Sequence, residues 1–473
     1  MLSITCSWGF IIIVSIAIGT YFGSVLYKEN ILLKHLDLYF VYGLMCINIY
    51  AEIYSLFSGV GKSAVVAIFI IGMICAVLAL RKGNISDSFR NRIQINVKTS
   101  EIALKAAIAL VIGIGVIAYT ADVPFHPDTS GYHAQAIRWV EEYGLVKGLG
   151  NFYHRLAYNS AFMPLQALFS FKWLCGRSLH TLNGLIGYLL LLYSVFTNQI
   201  IWNRKIHTSD LMKAGTIIYV FHERTMLSSP GSDMLALSLV IYIMIKWMEL
   251  CEQKVGEIKP YAQLCILAVW AVTVKLSCTM LVLLWIFPLS VLIKRRCWKK
   301  CIALCGCGLG VAVPWLIRNV LISGYLLYPY SQIDLFNVDW KIPKELVDYD
   351  RMEIMVWGRG VRDVSQYHQS IQEWFPIWFE QLGKFEMLVF TAGISGLILC
   401  LIFLFRKWIT MESGVKAEIF TGIALFLFWL ISAPLMRYGL IYGIVVFALG
   451  TGWLLKDWMR PVLQFGTYFS YSL

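Results

Sequence analysis

The chain has 473 residues, 59% hydrophobic and 14% charged, where soluble proteins average about 45–50% apolar and 25% charged. A soluble fold cannot hide that much apolar surface, which excludes a soluble enzyme, a disordered chain and a disulfide-held scaffold. The formal net charge of +12 sits in short loops between apolar runs, as the positive-inside rule places it, and gives no reason to expect nucleic acid as a partner.

The apolar runs approach the ~20 residues that carry a helix across ~30 Å of hydrocarbon. In chain order they are Trp8–Leu26, Leu36–Phe57, Ser63–Leu80 and Ile102–Ala121, then Leu182–Trp202, Ala214–Phe221 extended toward Met226, and Met234–Leu250. Ala262–Ile293, Cys301–Ile322, Phe385–Phe405, Ala417–Leu435 and Gly439–Trp458 follow. The first run has no charged residues before it and no small-residue cleavage site after it, so it reads as a retained span. Ala262–Ile293 is too long for one span, and a hairpin turning near Lys275-Leu276-Ser277 resolves it. Phe162–Trp173 is short for a span and reads as a partial or re-entrant helix. These elements predict an all-α, polytopic transmembrane bundle of about 11–13 spans. It forms one membrane domain over residues 1–473, with two long loops at 122–160 and 323–384.

Lys and Arg set the orientation. The basic loop Arg81–Lys98 belongs on the cytoplasmic side, as do those around Arg204 and Lys205, Lys294 to Lys300, Arg406 and Lys407, and Lys456 with Arg460. Threading then puts both long loops outside. Neither contains any of the twelve cysteines, so no disulfide framework is expected.

Five ionisable residues fall at the outer ends of spans: Asp128, Asp233, Lys275, Arg318 and Arg437. Charges near a membrane are costly and usually mark function, so a shared cavity is expected. Asp128 and Thr129 also suit the cap of an amphipathic helix starting near Gly131 and stopping at Gly144. Asp128 thus has two readings, helix cap or general base. The stretch Tyr153-His154-Arg155, then Tyr158-Asn159, has side chains suited to sugar hydroxyls and phosphate oxygens. Lys275 is a lone charge in a long apolar stretch. Arg318 and Arg437-Tyr438 are suited to phosphate, although an Arg at a span end can simply snorkel. Glu373-Trp374-Phe375-Pro376-Ile377-Trp378-Phe379 reads as an aromatic anchor at headgroup level. There is no Walker A, GxSxG or HExxH motif, and no set of metal ligands is assigned.

With these residues in view, the chain resembles the GT-C fold of membrane glycosyltransferases. The likeness rests on a span feeding a long loop with Pro127-Asp128-Thr129-Ser130-Gly131-Tyr132-His133. Asn159-Ser160-Ala161-Phe162-Met163-Pro164 and Ser229-Pro230-Gly231-Ser232-Asp233 support it. Gly131-Tyr132-His133, Asn319 to Pro329, Asp339-Trp340-Lys341-Ile342-Pro343, and Ala433-Pro434 with Arg437-Tyr438 also look like a family of uncharacterised bacterial multi-spanning membrane proteins linked to surface-polysaccharide synthesis. Many GT-C enzymes carry two adjacent acids in this loop. Here Thr129 follows Asp128, and Glu141, Glu142 or Asp233 would have to supply the second. The resemblance implies a glycosyltransferase of the bacterial inner membrane, active on its extracytoplasmic face. A polyprenyl-phosphate-linked sugar would be the donor and a glycan or lipid the acceptor, with membrane lipids around the chain. Asp128 would be the base. His133, Arg155, Asn159, Asp233, Lys275, Arg318, Arg437 and Tyr438 would bind substrate. No cofactor is required, and a divalent metal is compatible with this reading. A polymerase of lipid-linked repeat units, or a flippase, is the alternative.

The charge pattern makes a direct prediction. A reporter fused after Arg92 reads cytoplasmic, and one fused after Val146 reads external. The reverse result would invert the whole threading.

Overall fold

The computed structural model describes residues 1–26, 36–81 and 99–470, the side chains of 24–26, 99 and 456–470 aside. The basic loop beyond Arg81, with Arg90, Arg92 and Lys98, lies outside the described residues, as do the side chains of Lys456 and Arg460. Among the described residues every regular element is helical. Eleven helices among the described residues are long and apolar enough to cross a membrane, which is the lower end of the expected range.

Two shorter helices complete the alternation. Ile258–Val274 has 17 residues and ends at Lys275, whose extended backbone (φ −156°, ψ 126°) breaks the run. The 3-10 segment Leu276–Trp285 then leads into the helix Ile286–Lys294. Trp285 donates back to the Cys265 carbonyl at 2.8 Å, which closes the hairpin expected around Lys275. The second, Thr208–His222, contains the run read over Ala214–Phe221 and begins six residues before it. It has 15 residues and is not among the eleven. Its first turns carry Asp210 and Lys213, both buried, with Lys213 Nζ 2.8 Å from Glu249 Oε1. Paired charges let a short polar turn sit inside the bundle where lipid would not accept it.

Hydrogen bonds and ion pairs fix which helix ends lie together. The Ser209 backbone N–H donates to Glu252 at 2.8 Å, and the Asn198 amide donates to the Asp210 carbonyl at 3.1 Å, so those three ends share one face. Asp128, Asp233, Lys275 and Arg437 meet at the opposite face.

Between these faces the helices pack closely. The first two, Leu2–Leu26 and Leu36–Ser55, cross at Gly19 and Gly43. A Cβ on Gly43 would lie 1.8 Å from the Ser15 carbonyl oxygen, and one on Gly19 would lie 1.9 Å from that of Tyr39. Small residues at such a crossing let two backbones touch in lipid, where apolar burial alone gives helices little reason to associate.

The loops differ from expectation in two places. Asp128 makes no side-chain capping bond. A π-helical turn, Thr129–His133, precedes the helix Ala134–Tyr143, which does stop at Gly144 (φ 72°). The aromatic stretch forms the helix Ile371–Glu380, but it is not a free headgroup anchor. Trp374 and Trp378 are buried, and the Trp378 indole donates to the Pro434 carbonyl at 2.7 Å. The indole nitrogen finds its partner inside the protein, and that draws the ring inward.

Because the Gly43 contact is backbone to backbone, no rotamer change relieves it. Gly43→Val should lower stability by about 1–3 kcal/mol, as overpacking does. A thermal melt in detergent matching the wild type would show that the two helices do not cross there.

Candidate functional site

The site begins with the break at Lys275 and the loop before Asp233. Residues Ser228 to Gly231 are buried at the foot of the helix Asp233–Glu252. The Asn183 amide donates to the carbonyls of Ser229 at 2.6 Å and Gly231 at 2.8 Å, and Ser229 Oγ meets Thr129 Oγ1 at 3.0 Å. This loop thus aims Asp233 at the first residues after the fourth long helix. Asp233 pairs with Lys275 and lies 3.2 Å from Arg437 Nε. Arg437 Nη2 donates to Asp128 Oδ2 at 3.2 Å and to the Tyr438 hydroxyl at 2.7 Å. The Lys275 ammonium stands 3.5 Å over the Tyr438 ring. Four charges from four separate segments therefore form one neutral network. Each side chain keeps 15–20% of its surface open.

Two histidines flank the network. His126 Nδ1 is 3.7 Å from Asp128 Oδ2 and accepts from the Asp128 backbone N–H at 3.1 Å. Its ring stacks toward His133 at 6.3 Å between centroids. Burial pushes the His133 imidazole down from 6.5 to about 4, against the pull of Asp233 and Asp128, and its Nδ1 is buried without a hydrogen-bond partner.

The residues expected to bind substrate divide into three groups. Asp128, Asp233, Lys275, Arg437, Tyr438 and His133 come together. Arg318 and Asn159 do not join them. Arg318 is 2% exposed, donates to Ser55 and, through Nε, to Asn159 Oδ1 at 3.1 Å, and has Glu52 beside it. The Asn159 amide is used on Asn319 at 2.7 Å and on the Trp315 carbonyl at 3.2 Å. Desolvation inside the bundle favours protein partners for both side chains, and both have them here. Asn159 also holds a left-handed turn (φ 39°), a conformation that Asn tolerates.

Arg155 lies in the third group. Its Nη2 donates to Glu353 Oε2 at 3.3 Å. His154 Nε2 is 3.5 Å from Asp350 Oδ1 and 3.9 Å from Glu353 Oε2, and these three side chains are placed to hold a metal ion. Asp350 is fully buried, accepts from Tyr158 at 2.9 Å and Tyr328 at 2.8 Å, and is pushed up by that burial. Tyr132 bridges the groups, its ring 4.3 Å from His133 and 5.6 Å from Tyr158.

Sequence reading passed over His126, Tyr132, Asp350 and Glu353. Only the i,i+3 spacing of the last two gave a signal, since it sets both acids on one helix face. Of the acids considered beside Asp128, Asp233 joins it, whereas Glu141 accepts from Ser178 at 2.8 Å and Glu142 from Lys172 at 2.9 Å.

A family model matches residues 1–444 and so takes in every residue of this network. The chain belongs to that family, described as Domain of unknown function (DUF8201). No curated protein and no solved structure matches it.

The buried His133 makes stability depend on pH in a defined direction. Its native affinity for protons is below that of the unfolded chain, so the unfolded state protonates first as pH falls. Stability is full above about 6.5 and is lost progressively toward about 4. In detergent, His133→Gln should melt with a shallower pH slope over that window than the wild type. An unchanged slope would mean that His133 is not held neutral.

Proposed function

We propose that this protein is a GT-C-like glycosyltransferase of the bacterial inner membrane, moving a sugar from a polyprenyl-phosphate-linked donor to a glycan or lipid acceptor on the extracytoplasmic face. The observation that carries this reading is the pair of carboxylates, Asp128 and Asp233, bound to one guanidinium beside Lys275 at one end of the helical bundle. The second acid that Thr129 displaces from the sequence is available in space as Asp233.

The chemistry follows from the positions. An acceptor hydroxyl gives its proton to Asp128, and its oxygen attacks the anomeric carbon. The carbon–oxygen bond to phosphate breaks, and polyprenyl phosphate leaves with the bonding pair. Arg437 and Lys275 meet that charge. Fixed cations aimed at a developing anion are the larger catalytic contribution, and a general base adds roughly 10²–10⁴ in rate. Arg437 suits the task because its planar fork can hold a carboxylate and a phosphate oxygen together. Asp233 holds Lys275 and Arg437 in place between turnovers. His133, neutral and with an unused nitrogen, can orient a sugar hydroxyl.

The test compares lipid-linked oligosaccharides and surface glycan in cells with and without the gene. Loss of the gene should make an unextended lipid-linked precursor accumulate. Asp128→Asn keeps a hydrogen-bond acceptor for Arg437 but cannot take a proton at neutral pH. The variant should express normally and fall about 10²–10⁴-fold in rate. Wild-type glycan levels restored by Asp128→Asn would end the base assignment, and an unchanged lipid-linked pool without the gene would end the transferase reading.

A further inference from the structure

We propose that His154, Asp350 and Glu353 form a binding site for one divalent transition-metal ion, zinc by the chemistry of its donors, which fastens the first long loop to the second. This inference stands apart from the glycosyltransferase reading, and either can fail alone.

The ligands come from two segments. Asp350 and Glu353 stand three residues apart on the helix Lys344–Gly358, so both acids share one face. His154 begins the short 3-10 turn His154–Tyr158 in the first loop. One imidazole and two carboxylates are a donor set that suits zinc. The ligand atoms all lie within 4.8 Å of one another, with Nε2 at 3.5 Å and 3.9 Å from the two oxygens. Ligands at about 2.0–2.2 Å around a tetrahedral zinc are spaced about 3.3–3.6 Å apart. Two of the separations are thus at or near that spacing.

The imidazole supplies the second observation. Its Nε2 is buried and has no hydrogen-bond partner, although it faces two carboxylate oxygens. At those distances there is no hydrogen bond to make, and an ion between the three atoms would satisfy all of them. The surroundings match what metal sites use to fix their ligands. Tyr158 and Tyr328 donate to the two oxygens of Asp350, one each, and Arg155 donates to Glu353. Each of these oxygens has a second lone pair left for a metal. The Arg155 charge opposes the ion, but two carboxylates outweigh it.

The experiment uses the full chain in detergent, purified on a tag without histidine, stripped with EDTA, loaded with zinc chloride and gel-filtered. The wild type should retain one zinc per chain, and His154→Gln and Glu353→Gln should each bind at least tenfold more weakly. Wild-type retention no greater than that of both variants would overturn the proposal. If the variants fold poorly, X-ray absorption on the zinc-loaded wild type decides. Imidazole scattering with oxygen at about 2.0–2.2 Å is expected. A spectrum without imidazole, or one dominated by sulfur at about 2.3 Å from the cysteines, would overturn it.

Discussion

Arg437 holds Asp128 through one nitrogen and faces Asp233 through another, and Lys275 closes the set from the other side of Asp233. Each of these residues sits where a helix begins or breaks. Buried without a partner, each would be expensive, because an isolated charge out of water is costly. Together they cancel. The ties among them hold four separate segments together. The network therefore fixes the relative positions of the loop after the fourth long helix, the foot of Asp233–Glu252, the Lys275 break and the last helix. The polar groups around it, from Asn183 to His133, are arranged on that frame.

The opposite face has its own charged set, and the contrast is informative. Lys246 lies 2.8 Å from Asp37 and 3.4 Å from Glu249, and Lys213 joins Glu249 and Asp210. Asp210 and Lys213 are sealed from solvent, and the Asp210 carboxylate also accepts from the Gln199 backbone N–H at 2.8 Å. That set is a structural tie, with Lys246, Asp37 and Glu249 still 19–25% open. The Asp128 set instead balances two acids with two bases, and a buried histidine nitrogen beside it is unused. Spare hydrogen-bonding capacity, more than charge or openness, separates a candidate site from a brace.

Much of the fold was legible because lipid permits few solutions. Long apolar runs had to be helices, and a lone Lys within thirty apolar residues had to sit at a break, which is where Lys275 lies. The convergence of Asp128, Asp233, Lys275 and Arg437 followed from counting spans between basic loops. Arg318 misled that count. A guanidinium at a span end looks the same in sequence whether it faces a ligand or, as here, Asn159 and Ser55. Trp374 and Trp378 misled it too, since an aromatic stretch does not say which rings turn inward. The Asp350 and Glu353 cluster was hidden for another reason. Its histidine is 196 positions before its first acid, and nothing local ties two loops so far apart. The Gly19 and Gly43 crossing was equally silent, because a glycine in a span is ordinary until its neighbour is known.

The span of 309 positions between Asp128 and Arg437 has a consequence for how the molecule is made. A ribosome adds about 5–20 residues per second, so Arg437 is synthesised about 15–60 s after Asp128. Throughout that interval Asp128 stands at the membrane surface without its cation, and Asp233 has at best Lys275. The network is thus a late event in biogenesis. A nascent chain halted before its last helix carries nearly every apolar span but has uncompensated acid on one face, which gives membrane quality control a chemical mark of an unfinished molecule.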